Sequence, residues 1–169
     1  MSEGVTVRGV RPEEYQALAS LTLDAYGVLL GPDLDGEYAA ELADVATRAA
    51  QSDTLVAVDG EGKLVGGVTY VPGPGPLAWF HGPAEAGFRM LAVAPSAQGR
   101  GVGAALVAAC VARARAAGKA RLFLHTTAPM TVAQRIYHRA GFRRDPGRDR
   151  VLEGGLVLLA YVLELGPER

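Results

Sequence analysis

The residues best suited to chemistry gather in one short stretch, Gln98-Gly99-Arg100-Gly101-Val102-Gly103-Ala104, just after the apolar run Met90-Leu91-Ala92-Val93-Ala94. The apolar run ends at Pro95 and reads as a strand. The alanine- and valine-rich segment after Gly101 reads as a helix. The first N–H groups of a helix have no partner within it, and they carry the positive end of its dipole. Glycine at 99, 101 and 103 removes the Cβ atoms that would hold a ligand away from the backbone. Arg100 adds a movable positive charge. This combination suits a diphosphate or a similar polyanion. Close helix–strand packing would use the same glycines without any ligand.

Known phosphate loops divide on this stretch. A P-loop requires Lys-Ser or Lys-Thr after its glycines, and neither follows here. Gly99-x-Gly101-x-x-Ala104 nominally meets the dinucleotide fingerprint G-x-G-x-x-A. That fingerprint also wants a ribose-binding acid about 20 residues on, whereas the next acid is Asp145.

The elements around the stretch follow from pattern. Val5, Val7 and Val10 suggest a first strand, and Arg11-Pro12-Glu13-Glu14 opens a helix with proline and acids in its first turn. That helix is expected to run to Gly27. A second follows, with Tyr38, Leu42, Val45, Ala46 and Ala49 on one face. Residues 54–58 and 64–71 form a hairpin around Asp59-Gly60-Glu61-Gly62. The PGPGP run at 72–76 excludes regular structure, and Trp79, Phe80 and His81 follow it in a loop. Strands are expected at 88–94, 121–125 and 156–165, and helices at 101–117 and 131–140, closed by Gly118 and Gly141. The order β-α-α-β-β-β-α-β-α-β describes one α/β domain of α+β type over residues 1–169, a mixed sheet covered by helices.

Charge is unevenly placed in this chain of net charge −1. Residues 86–144 hold no Asp or Glu but ten Arg and Lys, whereas residues 1–85 hold thirteen acids against four bases. An anionic ligand is expected beside the first segment, and a cationic one beside the second. The basic segment lacks the aromatic interleaving of a nucleic-acid surface. The longest apolar run, 101–112, is too short to cross a bilayer, and no signal-peptide pattern opens the chain, so the cytoplasm is the default. A lone cysteine, Cys110, excludes an internal disulfide, and three scattered histidines offer no metal spacing.

Gln98-x-x-Gly101-x-Gly103, preceded by Leu91-Ala92-Val93-x-Pro95, resembles the acetyl-CoA motif of the GNAT superfamily of N-acetyltransferases. Ala133-Gln-Arg-Ile-Tyr137-His-Arg-Ala-Gly141-Phe142 resembles the family's A-x-x-x-Y-x-x-x-G-F helix. The two occur in order, about 40 residues apart, and the element order agrees with the family fold. The resemblance implies a mostly antiparallel sheet whose central strands splay into a cleft for the cofactor. Pantetheine would bond the backbone of Leu91, Ala92 and Val93, and the pyrophosphate would rest on the amides of Gln98, Gly99, Arg100, Gly101, Val102, Gly103 and Ala104.

Acetyl transfer from a thioester to an amine needs a neutral amine, a stabilised oxyanion and a proton for the departing thiolate. By the resemblance, a backbone N–H at Val93 serves the oxyanion and the hydroxyl of Tyr137 protonates the thiolate. Tyr137 also belongs to an ordinary apolar stripe and could serve packing alone. Glu85, the only acid between Glu61 and Asp145, is the candidate base. Relatives carry an Asn near the pantetheine amide where this chain has Met130. His125 at a strand end and His81 beside aromatics are further candidates. Cys110, within an apolar helical stripe, is read as a buried inert thiol, which favours direct transfer over an acetyl-cysteine intermediate.

The sequence therefore points to an acetyltransferase using acetyl-CoA and no metal, acting on an amine of a small molecule or peptide, with a homodimer allowed. A domain of the same fold that binds CoA without turnover is the alternative.

Overall fold

The computed structural model describes residues 4–31, 34, 36–75, 77 and 82–166. Trp79, Phe80 and His81 lie outside the described residues. The chain begins with β1 (Thr6–Gly9) and a short turn of 3-10 helix, Pro12–Glu14, that feeds α1 (Tyr15–Leu30). Glu14 secures this entry: its carboxylate accepts two bonds of 2.8 Å from Arg8 and one of 2.9 Å from the amide of Arg11. Those partners hold its pKa down, at about 2. α1 runs three residues beyond Gly27 and ends at Gly31, whose φ of 51° few other residues adopt.

The expected second helix is two helices, α2 (Gly36–Ala43) and α3 (Val45–Gln51). Between them, Asp44 leaves helical geometry and caps α3, its side chain accepting from the amide and hydroxyl of Thr47 at 3.2 and 2.7 Å. A short acidic side chain at such a position competes with the backbone ladder and restarts the helix.

The strands β2 (Asp53–Val58), β3 (Leu64–Val71), β4 (Glu85–Val93), β5 (Arg121–Thr126) and β8 (Val157–Glu164) form the body of an eight-stranded sheet. Its order is β1-β2-β3-β4-β5-β8-β6, where β6 is Arg143–Arg144, and β7 (Arg150–Val151) pairs separately with β8. Every pairing is antiparallel except β4 with β5. α4 (Val102–Ala116) and α5 (Thr131–Ala140) complete the set.

Two adjacent glycines on β3 set the spacing of the layers. A Cβ on Gly66 would meet Val102 and Leu106 of α4 at 2.9 and 3.0 Å, and one on Gly67 would meet Leu18 of α1 at 2.4 Å. Neighbouring residues of a strand point to opposite faces. So α4 and α1 press on opposite sides of the same strand, each where no side chain intervenes. The core between sheet and helices includes Leu42, Leu55, Val68, Phe88, Leu106, Cys110, Leu122, Phe142 and Tyr161, all buried. No helix among the described residues is long and apolar enough to cross a membrane.

The sheet opens at its centre. β4 and β5 pair in parallel from Glu85–Arg121 to Gly87–Phe123, and no pairing joins them beyond. Opposite this point, β4 carries a bulge. Gly67 faces Ala92 and Thr69 faces Arg89, so Val68 alone spans Met90 and Leu91. Met90 takes φ +57°, the one left-handed non-glycine among the described residues. A bulge of this kind bends its strand, and β4 departs from β5 as it passes.

Candidate functional site

Two cavities flank this opening. The first, of about 290 Å³, lies against Leu91–Val93 of β4, the Gln98–Ala104 turn and the exposed side of α5. Nine of the ten residues expected to hold the cofactor line it: Leu91, Ala92, Val93, Gln98, Gly99, Gly101, Val102, Gly103 and Ala104. Arg100 does not. It faces a separate groove with Asp59 and Glu61.

The turn leaves backbone amides at the start of a helix facing the first cavity's lining. Gly99 and Gly101 both have φ +80°, and Gly101 caps α4. The first bond within the helix runs from the Ala105 amide to the Gly101 carbonyl, 3.0 Å. The amides of Val102, Gly103 and Ala104 precede it, and the cavity reaches all three residues. A Cβ on Gly103 would stand 2.7 Å from Ile136 of α5, so this glycine also keeps α4 and α5 close. Arg135 and Arg139 of α5 line the same cavity. They are four residues apart, hence on one helix face, and bring positive charge to the cavity that Arg100, expected there as a movable charge, does not line. Their spacing was visible in the acid-free segment but carries no motif. A polyanion with an extended, partly apolar arm fits these residues: free amides, guanidiniums and the alanine, valine and isoleucine walls.

The second cavity, of about 120 Å³, opens on the other side of the splay. Its walls come from Tyr26 and Leu30 of α1, Tyr38 and Glu41 of α2, Phe88, Arg89 and Met90 of β4, residues 123–127, and Leu152, Leu156 and Leu158 around the β7–β8 connection. Met130, the residue before α5, lines both cavities. Met130 thus stands between the two spaces, its side chain forming part of the wall of each.

Tyr137 is buried on α5, its ring 5.8 Å from those of Phe88 and Phe142 and 5.9 Å from that of Tyr161. It lines neither cavity, although Phe88 beneath it lines the second. Burial, then the nearby Cys110 and Tyr161, raise its pKa well above that of a free phenol, so it keeps its proton. Tyr161, by contrast, is committed, with its hydroxyl 3.1 Å from Gln134 Oε1 and 3.4 Å from His138 Nε2.

Glu85 is the first residue of β4, at the paired end of the wedge, and it too lines neither cavity. It is 2% exposed. Arg121 Nε donates to Oε2 at 2.8 Å, while Arg148 donates to Oε1 and Oε2 at 2.9 and 3.0 Å. Arg148 in turn lies over Phe123, 3.8 Å from the ring centre.

His125 lines the second cavity, with Nε2 2.9 Å from the carbonyl of Arg148. That contact requires a proton on Nε2. Burial lowers its pKa, favouring the neutral ring. Cys110 is fully buried and its thiol is pushed up to about 12 by burial, as an inert core thiol should be. Among the described residues no three His, Cys, Asp or Glu come together as a metal site would require.

Five of the thirteen acids in residues 1–85 have partners elsewhere in the fold. Glu14, Asp44 and Glu85 have the partners already given, Asp53 faces Arg113 at 3.7 Å, and Asp59 accepts from the amides of Glu61 and Lys63. Of the thirteen, Glu41 lines the second cavity, together with Arg89. The excess of acids in the sequence does not translate into an acidic cavity among the described residues.

Solved structures share this fold. An acetyltransferase of the GNAT family from Staphylococcus aureus superposes with a TM-score of 0.75 at 13% identity, over 96% of this chain and 100% of its own. The yncA protein of Salmonella typhimurium, solved with its cofactor acetyl-CoA, gives 0.69 at 20% identity over 96% and 95%. A GNAT-family protein from Desulfovibrio desulfuricans gives 0.68 at 26% identity over 96% and 100%. Compared with curated proteins, the chain finds no match. The family model for the acetyltransferase (GNAT) family matches residues 15–142, from the start of α1 to the end of the α5 turn. With three-quarters of its length covered and both glycine turn and Tyr137 helix inside the match, the chain belongs to the GNAT acetyltransferase family.

Proposed function

We propose that this chain transfers an acetyl group from acetyl-CoA to a primary amine, directly and without a covalent enzyme intermediate. The observation that carries this reading is the pair of cavities that share Met130 as a wall, one suited to a polyanion and one to a second molecule. A domain that only sensed CoA would have no need of the second.

Acetyl-CoA, when bound, supplies the activated acetyl group. Leu91, Ala92 and Val93 would offer backbone hydrogen bonds to its pantetheine arm, as an added strand does. The amides at the start of α4, with Arg135 and Arg139, would hold its phosphates. The N–H of Val93 is assigned to the carbonyl oxygen as charge develops there. Tyr137 keeps its proton and is assigned to the leaving thiolate on the resemblance of its helix to the family motif; it lines neither cavity, and Phe88, which lines the second, packs against its ring.

Glu85, held by two guanidiniums away from both cavities, is assigned to structure instead of proton removal. An amine deprotonated by water, or entering neutral, needs no carboxylate base. The second cavity is walled mainly by Leu, Val, Phe, Tyr and Met side chains. The acceptor is accordingly an amine on a largely apolar body, and Glu41 is the acid among the described lining residues that a cationic acceptor would meet. The decisive experiment is release of free thiol from acetyl-CoA in the presence of primary amines that differ in charge and apolar size. Acetyl-CoA binding without thiol release across the whole panel would favour the sensing domain.

A further inference from the structure

We infer that the hydroxyl of Thr127 is the group that receives the acceptor amine, an inference that rests on the proposed amine transfer and adds a contact for the acceptor to it. Thr127 follows the last residue of β5 and lines the second cavity, in the same turn as Met130, which lines both cavities. It is 5% exposed, and its Oγ1 has no hydrogen-bond partner. A buried hydroxyl left without a partner destabilises the fold, and a valine would fill the same volume without that cost. Thr54 and Tyr70 also carry buried hydroxyls without partners, but neither lines this cavity.

The surroundings hold Thr127 in place without using its side chain. Its carbonyl accepts from Gln134 Nε2 at 2.9 Å and from the Met130 amide at 3.1 Å. Gln134 is fixed in turn by the hydroxyl of Tyr161 at 3.1 Å. The neighbouring Thr126 hydroxyl is directed to Met130 Sδ at 3.5 Å, so it is already committed. One hydroxyl is thus held buried and unpartnered in a residue that lines the space assigned to the second molecule. The first cavity does not reach it, which assigns it to the acceptor rather than the pantetheine arm.

The chemistry fits a hydroxyl oxygen. During transfer the amine nitrogen forms a bond to the acetyl carbon while the carbon–sulfur bond breaks. The nitrogen loses one proton and the sulfur ends with one. Thr127 Oγ1 accepts a hydrogen bond from an amine N–H, which turns the nitrogen lone pair toward the strand opening. It removes no proton itself.

The test compares Thr127→Val and Thr127→Ser with the parent, using acetyl-CoA and a panel of L-leucine, L-phenylalanine, phenethylamine, spermidine and an alanyl peptide. Without ligand, Thr127→Val is expected to melt higher by about 2 °C, since an unsatisfied group is removed. With the amine that the parent uses best, its kcat/KM is expected to fall about tenfold or more, with acetyl-CoA affinity unchanged. Thr127→Ser should restore most of that loss. A valine variant that melts lower than the parent overturns the inference. So does one that loses acetyl-CoA affinity while the amine KM stays the same, or one that turns over the amine as well as the parent. A parent that acetylates no amine in the panel counts against amine transfer itself, and the inference falls with it.

Discussion

Arg148 meets Glu85 side-on, Nη2 to Oε1 at 2.9 Å and Nη1 to Oε2 at 3.0 Å, while its own carbonyl accepts from His125 at 2.9 Å. One residue thus joins the first residue of β4 to the turn that leads into the wall of the second cavity. Removing one partner of a buried pair leaves the other charge uncompensated, which typically costs about 3 kcal/mol or more. Glu85→Gln is therefore expected to lower the denaturant midpoint clearly, while kcat/KM of the protein that remains folded is preserved. A rate loss at unchanged stability would return Glu85 to the role of base.

Tyr137→Phe keeps the ring among Phe88, Phe142 and Tyr161 and removes the proton. Turnover is expected to fall roughly 10²- to 10³-fold, as for loss of a general acid, with acetyl-CoA binding by calorimetry unchanged. Full turnover in the variant would reduce the tyrosine to a packing residue.

The glycines of the cradle separate two effects. Gly101→Ala forces a side chain into φ +80° with nothing within 4 Å of its Cβ, so its cost is conformational, about 1 kcal/mol. Gly103→Asp places a carboxylate in the first cavity and against Ile136. Stabilisation by CoA in a thermal melt should survive the first change, weakened, and vanish in the second. Retention of the shift in Gly103→Asp would remove the phosphates from this turn.

Acid should unfold the protein in two stages. His125 has its pKa lowered in the fold, so the unfolded chain takes up its proton first, and stability starts to decline as pH falls below about 6.5. Hydrogen bonds from Arg144 and from the Ala160 amide lower Asp149 to about 2, and Arg8 does the same for Glu14. Their contribution is complete above the unfolded carboxylate range near 4 and is lost between about 4 and 2. Urea midpoints measured from pH 8 to 2 should show both declines. Asp149→Asn should flatten the lower one, and an unaltered profile would show that the Arg144 pair contributes nothing.

Much of this arrangement could be read from the sequence because it depends on local signals. Pro95 ends β4 near where it was expected, Gly118 and Gly141 close α4 and α5 at φ 70° and 97°, and the 98–104 turn precedes its helix. What was missed depends on distant partners. Glu85, Ala86 and Gly87, which open β4, have little strand character of their own. They are extended because β3 and β5 pair with this end of the strand. The break at Asp44 was hidden because the apolar stripe continues through it. The isolation of Glu85 from the site could not be seen either, since Arg121 and Arg148 are 36 and 63 residues away. Thr127 gave no signal at all, being an unremarkable residue until its hydroxyl is found buried and unanswered.

The family match stops at Phe142, yet the second cavity does not. Leu152, Leu156 and Leu158 close one side of it from a segment beyond that boundary, anchored to the rest by β7 and β8. None of the three touches the first cavity. On the proposed reading, one wall of the acceptor cavity therefore comes from a piece of chain that takes no part in the donor cavity. Exchanging residues 152–158 for a segment of different size or charge could redirect which amine is accepted while the thioester is held as before, and selectivity in this molecule is open to redesign one hairpin at a time.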